Sequence, residues 1–287
     1  MILYKCRLYV IFCFLLSFST CLRPIDMYIC TCADAEFFPK LLNFIGSVHK
    51  YNFKKLKEIA VFDLGFTADQ IKKLNKIRKV AVYDIEITHP DLLKHFDVGR
   101  RDGRLVRGWY AWKPVAIKQA LDMFPYVLYS DAGSVILKPL DNLFKHIKQN
   151  GYFFLRGSKN KLGLRTPEHV TKTFNLDSEE RKYILNSVGL AAGFMGLTRK
   201  YYDNFVLPMY ELSHNIDHFV DDGSSTLPAR HDQILFSMYA RLLGLEIKDS
   251  ATHFLINNKK ITAYIDRIVR FWDKQAYNWK KYIKYKR

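Results

Sequence analysis

Apolar runs of strand length alternate along this chain with segments of helical period. Met27 to Cys32 is followed by Phe37 to Val48, Ile59 to Asp63 by Ala68 to Ile77, and then comes Val80 to Asp84. That alternation predicts β-α-β units, hence an α/β domain with a mostly parallel central sheet flanked by helices. Thr67-Ala68-Asp69-Gln70 has the spacing of a capping box, so the second helix is expected to begin there. The loop Leu64-Gly65-Phe66 then falls at a carboxyl end of a strand, where open α/β sheets bind ligands. Farther on, Pro114 suits the first turn of a helix that runs to Phe124. The apolar strand Tyr126 to Ser130 ends in the acidic turn Asp131-Ala132-Gly133, followed by a second short strand. Later landmarks are the strand Tyr152 to Leu155, a mixed segment 166–185, the Gly-rich strand Gly189 to Leu197 and a helix from Asp232 to Leu243 closed by Gly244.

The amino terminus has a different pattern. Lys5 and Arg7 precede an uncharged stretch from Leu8 to Leu22, followed by Arg23-Pro24. This is a signal-peptide layout. Fifteen helical residues would span about 22 Å, short of the roughly 30 Å hydrocarbon core, which favours a cleaved leader over a permanent anchor. The expected organisation is a leader or short signal-anchor over 1–21, one domain over 25–265 and a basic aromatic tail over 266–287. The implied location is the secretory pathway (Golgi or endoplasmic reticulum lumen) or the cell envelope.

Composition narrows the classes. With 287 residues, 49% hydrophobic and 25% charged, and with 14 Gly and 9 Pro, the chain is globular. A net charge of +17 gives it a field suited to phosphates, acidic glycans or an anionic membrane face. All five cysteines lie within the first 32 residues, so the body holds neither a disulfide framework nor a Cys-ligated zinc site. Cys30 and Cys32 share one strand face and read as buried structural residues. There is no G-x-G-x-x-G after the first strand, no P-loop, no G-x-S-x-G and no H-E-x-x-H. Dinucleotide oxidoreductases, P-loop enzymes, α/β-hydrolases and zincins lose ground accordingly.

Four segments in order carry a family resemblance: Trp112-Lys113-Pro114 with Ile117, Ala120 and Leu121; Leu128-Tyr129-Ser130-Asp131-Ala132-Gly133; Ala192-Gly193-Phe194-Met195-Gly196; and Arg230-His231-Asp232-Gln233. Together they resemble nucleotide-diphospho-sugar transferases of the GT-A type, nearest to poorly characterised members with a W-K-P helix and a D-A-G turn. The resemblance spans roughly Met27 to His253. It implies a glycosyltransferase fold, a nucleotide-sugar donor, a glycan, lipid or protein acceptor, and often a Mn²⁺ or Mg²⁺ ion. Hard oxygen ligands on a divalent cation neutralise a diphosphate leaving group, which gives Asp131 a chemical reason to stand where it does. The usual second carboxylate of the turn is replaced by Gly133, so metal use is open. Arg100, Arg101, Arg104 and Arg107 are cations that would partly substitute, although a solvated loop explains each of them as well.

By the same resemblance Asp232 is the candidate catalytic residue, either a general base toward an acceptor hydroxyl or, in a retaining enzyme, a group that orients the sugar. As the first acid of a helix it also has a purely structural reason to be there. Trp112, Lys113, Asp131, Gly133, Gly193 and Lys259 are the donor-binding candidates, with Asp131 and His253 as metal ligands. His253-Phe254 with Lys259 is similar to the late H-F...K element of glycogenin-like transferases, although a core histidine explains His253 too. His231 is a possible assistant. Gly193 and Gly196 would admit close backbone approach to a sugar, or simply pack a strand. The tail from Phe271 to Arg287 interleaves aromatics with bases; behind a secretory leader it is expected to meet an anionic membrane surface or dock on the domain, not bind nucleic acid. The rival reading, motivated by Gly133, is a non-catalytic secreted glycan- or membrane-binding protein on a transferase-like fold.

Overall fold

The computed structural model describes residues 25–97, 105–248, 255–256, 259–260, 263–265 and 278–286. In chain order the elements are β1 (Met27–Ala33), α1 (Phe38–Asn52), β2 (Leu56–Asp63), α2 (Ala68–Asn75), β3 (Val80–Asp84), β4 (His95–Asp97), β5 (Leu105–Arg107), α3 (Trp112–Met123), β6 (Tyr126–Ser130) and β7 (Ser134–Ile136). They continue with α4 (Asp141–Asn150), β8 (Tyr152–Lys161), α5 (Glu168–Thr173), α6 (Ser178–Asn186), β9 (Val188–Thr198), α7 (Leu207–Leu212), α8 (His231–Leu242), β10 (Leu255–Ile256), β11 (Lys259–Lys260) and β12 (Ala263–Ile265). Among the described residues no helix is long and apolar enough to cross a membrane.

Six strands form the central sheet in the order β3-β2-β1-β6-β9-β8. β1 pairs in parallel with β2 and β6, and β2 with β3, whereas β9 runs antiparallel to both β6 and β8. The expected α/β architecture with a mostly parallel sheet is therefore present. Its inner strands β1, β6 and β9 are buried on both faces, which is why they read as continuous apolar runs and not as alternating ones. Successive residues still point to opposite sides. Cys30, Cys32, Ala60, Phe62, Val127 and Tyr129 join the core under α3 and α8. Ile29, Ile59, Val61 and Leu128 join the core under α1 and α4.

Local signals operate as the residues dictate. Thr67 Oγ1 accepts the Gln70 N–H at 3.3 Å while Gln70 Oε1 accepts the Thr67 N–H at 3.0 Å, the reciprocal capping box that starts α2. The mixed segment 166–185 resolves into α5 and α6, the second opened by Asp177, whose carboxylate accepts the Glu179 and Glu180 N–H groups. β8 runs to Lys161, well past Leu155, because Arg156 and Lys161 continue the pairing with β9 across irregular register. Residues 278–286 lie against the domain. Trp279 and Ile283 are buried, Tyr285 bridges to Ile77, and Gly46 of α1 leaves room for the strap, since a Cβ there would lie 2.1 Å from the Trp279 carbonyl oxygen.

Candidate active site

β1, β2, β3 and β6 run in parallel, so their carboxyl ends lie along one edge of the sheet, and each closes on an aspartate: Asp34, Asp63, Asp84 and Asp131. Three of the four have identified partners. Asp34 accepts two hydrogen bonds at 3.2 Å from the Arg107 guanidinium. Asp63 accepts the Gly65 and Phe66 N–H groups at 2.7 Å, closing the loop after β2. Asp131 stands at the centre of the edge, on the turn between β6 and β7, and is the one joined to a second buried carboxylate.

That joint is Lys113. Its Nζ lies 2.7 Å from Asp232 Oδ2 and 3.2 Å from Asp131 Oδ1. The contact with Asp232 is an ion pair whose angles fall short of a well-aligned hydrogen bond. Lys113 is 3% exposed and Asp232 5%, so the three charges persist in a poorly hydrated place only as a set. Burial by itself would push the Lys113 ammonium down, yet the two carboxylates outweigh it and hold the group above its ordinary range. The Tyr129 hydroxyl donates to Asp131 Oδ1 at 2.9 Å, and burial pushes that phenol well up, which keeps it a donor. The Lys113 ammonium also sits 5.3 Å from the Tyr129 ring centre and 5.7 Å from that of Tyr110. Two carboxylates and one ammonium leave one negative charge, and the Asp131 side chain, 35% exposed, is the part open to solvent.

Each member is placed by a different element. Asp232 is the second residue of α8, where a carboxylate faces the positive end of the helix. Asp131 is seated by its own N–H, which donates to the Gly193 carbonyl at 3.0 Å, and by the absence of a side chain at Gly193. A Cβ on Gly193 would lie 2.5 Å from Asp131 Oδ2. The glycine therefore makes room for the carboxylate, a more specific reason than close approach to a sugar. Gly196 makes room for Ile147 and belongs to the packing of α4 on the sheet.

Lys113 is delivered by an unusual turn. Gly108, Trp109 and Tyr110 have φ of 49°, 50° and 66°, three successive left-handed residues directly before α3. Left-handed backbone costs a non-glycine residue about 1–2 kcal/mol. The surroundings hold it. A Cβ at Gly108 would lie 1.8 Å from the Leu92 carbonyl oxygen, the Gly108 N–H donates to Lys94 O at 2.8 Å, and the Trp109 ring stacks on Phe96. His231, also left-handed at φ 39°, stands with its ring 5.2 Å from that of Trp109 and 5.6 Å from that of Tyr110, while its Nδ1 donates to the Phe219 carbonyl at 2.8 Å. Strained aromatic backbone thus flanks the Lys113–Asp232 pair on both chain segments. Nothing in the residue types of Gly108-Trp109-Tyr110 announces this.

The remaining expected site residues divide clearly. Lys113, Asp131, Asp232 and Gly193 come together. Trp112 is buried beside the cluster: its ring centre lies 5.8 Å from the Lys113 ammonium, and its indole N–H donates to the Arg107 carbonyl at 3.1 Å, so it also shapes the turn from within. Gly133 lies in the turn after Asp131 and brings no carboxylate. Lys259 lies on β11, paired with β10. His253, Arg100, Arg101 and Arg104 lie outside the described residues, as do the leader and the segment 266–277. Arg107 is committed to Asp34 and to the Leu93 carbonyl at 2.7 Å. Cys30 and Cys32 are buried free thiols whose burial pushes both up, matching the structural role expected of them.

The described residues do not enclose a divalent cation by themselves. Among them no three His, Cys, Asp or Glu side chains converge on one point, and both carboxylates of the site already share the Lys113 ammonium. Asp131 and Asp232 therefore form no protein-only cage; an ion such as Mg²⁺, which needs only one or two carboxylates beside a nucleotide's phosphates, would have Asp131 as its exposed ligand and the Lys113 ammonium as its competitor.

No protein-family model matches the chain, and no curated protein matches it in sequence. Solved structures do match in shape. Core-mannan synthase A from Aspergillus fumigatus, in its Mn/GDP form, is 10% identical with a TM-score of 0.50 over 76% of this chain and 70% of that one. Mouse xyloside xylosyltransferase 1 is 13% identical, TM-score 0.48, over 85% and 98%, and the galactosyltransferase LgtC with donor and acceptor sugar analogues is 14% identical, TM-score 0.46, over 74% and 70%. At these identities the likeness speaks to fold, and core-mannan synthase A carries it: the chain has the fold of GT-A-type glycosyltransferases, with the Lys113 ion cluster at the carboxyl edge of its sheet.

Proposed function

We propose that the chain is a glycosyltransferase that moves a sugar from a nucleotide-sugar donor to a hydroxyl acceptor. The observation that carries the reading is the buried Lys113 bridge between Asp131 and Asp232 at the carboxyl edge of this fold. Open α/β sheets bind ligands at that edge. In this reading Asp131, the exposed member, faces the donor, and Asp232 fixes the sugar or the acceptor hydroxyl from the start of α8. Because Oδ2 of Asp232 is held by Lys113, an incoming hydroxyl would meet the other oxygen. The donor's diphosphate would need cations from elsewhere, and the sequence offers Arg100, Arg101 and Arg104. The leader pattern at Lys5, Arg7 and Leu8 to Leu22 goes with action in a secretory or envelope compartment, and a reporter fused behind residues 1–30 that stayed in the cytosol would remove that part.

A thermal-shift series with UDP-, GDP-, ADP- and CMP-sugars tests the core of the reading, since a ligand bound to the folded state raises stability as RT ln(1 + [L]/Kd). One donor class should raise the melting temperature of the wild type and raise that of Asp131→Asn less. The same donor should be slowly hydrolysed or transferred. A donor that binds without turnover would favour the non-catalytic reading that Gly133 motivates, and no shift with any donor would sink both.

A further inference from the structure

The edge opposite the candidate site carries the reverse charge. β1, β2 and β3 begin together there, at Met27, Leu56 and Val80, and the turns that feed them supply Lys54, Lys55, Lys57, Arg78 and Lys79. The carboxyl-terminal strap crosses this same edge. The Arg78 N–H donates to the Lys284 carbonyl at 2.8 Å and the Lys286 N–H to the Lys76 carbonyl at 2.7 Å, so Lys284 and Lys286 are laid beside the β3 turn, while Lys280 and Lys281 belong to the part of the strap that packs on α1 at Gly46. Lys55 and Lys57 are matched by Asp141 and Asp26. Lys54, Lys76, Lys280 and Lys286 are exposed and have no carboxylate partner among the described residues. Arg78 and Lys284 lie over the Phe53 ring, and Tyr285 is 48% exposed among them.

The molecule is therefore polarised along its strands, with aspartates at the carboxyl edge and lysines and arginines at the amino edge roughly 20 Å away, the length of a five- to eight-residue strand. We propose that the amino edge is a docking surface for an anionic lipid bilayer. Clustered bases beside exposed aromatic side chains are the chemistry that adheres to anionic headgroups. What selects a bilayer over a soluble polyanion is the sequence ahead of this edge: β1 begins at Met27, and only residues 23–26 separate it from the uncharged stretch Leu8 to Leu22, which the short signal-anchor alternative keeps on the chain. A bilayer on the amino edge leaves the carboxyl edge, with the partly exposed Asp131, facing away from it and open to a donor.

The test is co-sedimentation of the full chain with vesicles of phosphatidylcholine alone and of phosphatidylcholine mixed with phosphatidylserine. Binding to the anionic vesicles should exceed binding to the neutral ones and weaken as salt is raised. The variant Lys54→Gln, Lys76→Gln, Lys280→Gln, Lys286→Gln should lose on the order of tenfold or more of the anionic binding, while binding to neutral vesicles stays unchanged. The matching quadruple Arg variant should keep it, and far-ultraviolet circular dichroism should show both folded. Equal binding to the two vesicle types, or a Gln variant that keeps its anionic binding, overturns the proposal. So does a Gln variant that loses retention on heparin but not on anionic vesicles, which would assign the surface to a polyanion.

Discussion

Replacing Lys113 with Met tests the candidate site where its physics is most constrained. The side chains are similar in length, so the change removes a charge and little volume. What remains is Asp232, almost wholly buried, facing Asp131 with no cation between them. Breaking a buried ion pair by deleting one partner costs about 3–5 kcal/mol, because the survivor is left charged and dry. Since Asp131 is partly exposed and keeps the Tyr129 hydroxyl, the lower figure, about 3 kcal/mol, is the better expectation. For a domain of this size that corresponds to a fall in melting temperature of roughly 6–12 °C. The double variant Lys113→Met, Asp232→Leu should recover most of the loss, because an apolar pair in place of a buried ion pair is often neutral. Thermal denaturation followed by circular dichroism, run as a double-mutant cycle, measures this directly. A Lys113→Met protein melting within about 2 °C of the wild type would refute the buried cluster, and so would losses that simply add in the double variant.

Two further predictions concern other parts of the chain. Gly193→Ala should force Asp131 out of its seat, since the new Cβ would lie 2.5 Å from Oδ2, and nucleotide-sugar stabilisation should fall by about tenfold in affinity with the fold intact; unchanged donor binding in the thermal-shift series would show that the seat does not matter. His49 is buried on α1, its Nδ1 accepts the Lys284 N–H at 3.1 Å, and burial, reinforced by the charges of Lys284 and Lys79, pushes it down to about 4. Between that value and its ordinary 6.5 the unfolded chain binds a proton that the folded chain refuses, so stability should fall by up to about 3 kcal/mol as pH drops through this window. His49→Gln should flatten that part of the curve in denaturant titrations at stepped pH, and an equally steep dependence in the variant would count against the assignment.

What the sequence made legible follows from how local each cause is. The inner strands β1, β6 and β9 are buried on both faces, so their apolar runs are continuous and need no tertiary knowledge to read. The Thr67–Gln70 box and the left-handed Gly244 after α8 are properties of a few adjacent residues, and both stand as expected. The orientation of Trp112 is hidden from the sequence for the opposite reason. Its neighbour Lys113 points to the ion cluster, but the indole is turned inward by a left-handed turn that residues 108–110 do not advertise. The strap was equally hard to read, because the signal for it is Gly46, more than 230 residues from Trp279, and a lone glycine within α1 reads only as a weak point.

The ion cluster shows where sequence reading stops and why. Asp131, Asp232 and Lys113 each carry a separate expectation in the sequence: a metal ligand, a general base or sugar-orienting group, a donor contact. Their meeting changes all three at once. An ammonium equidistant in role between two carboxylates takes up coordination sites a cation would use, and it anchors α3 to the start of α8 across the mouth of the sheet. Neither consequence belongs to any one residue. The strain stored at Trp109, Tyr110 and His231 is intelligible in the same terms: the two segments that hold Lys113 and Asp232 must approach closely enough for a 2.7 Å contact, and ordinary right-handed or extended backbone at those three positions would lead the chain elsewhere.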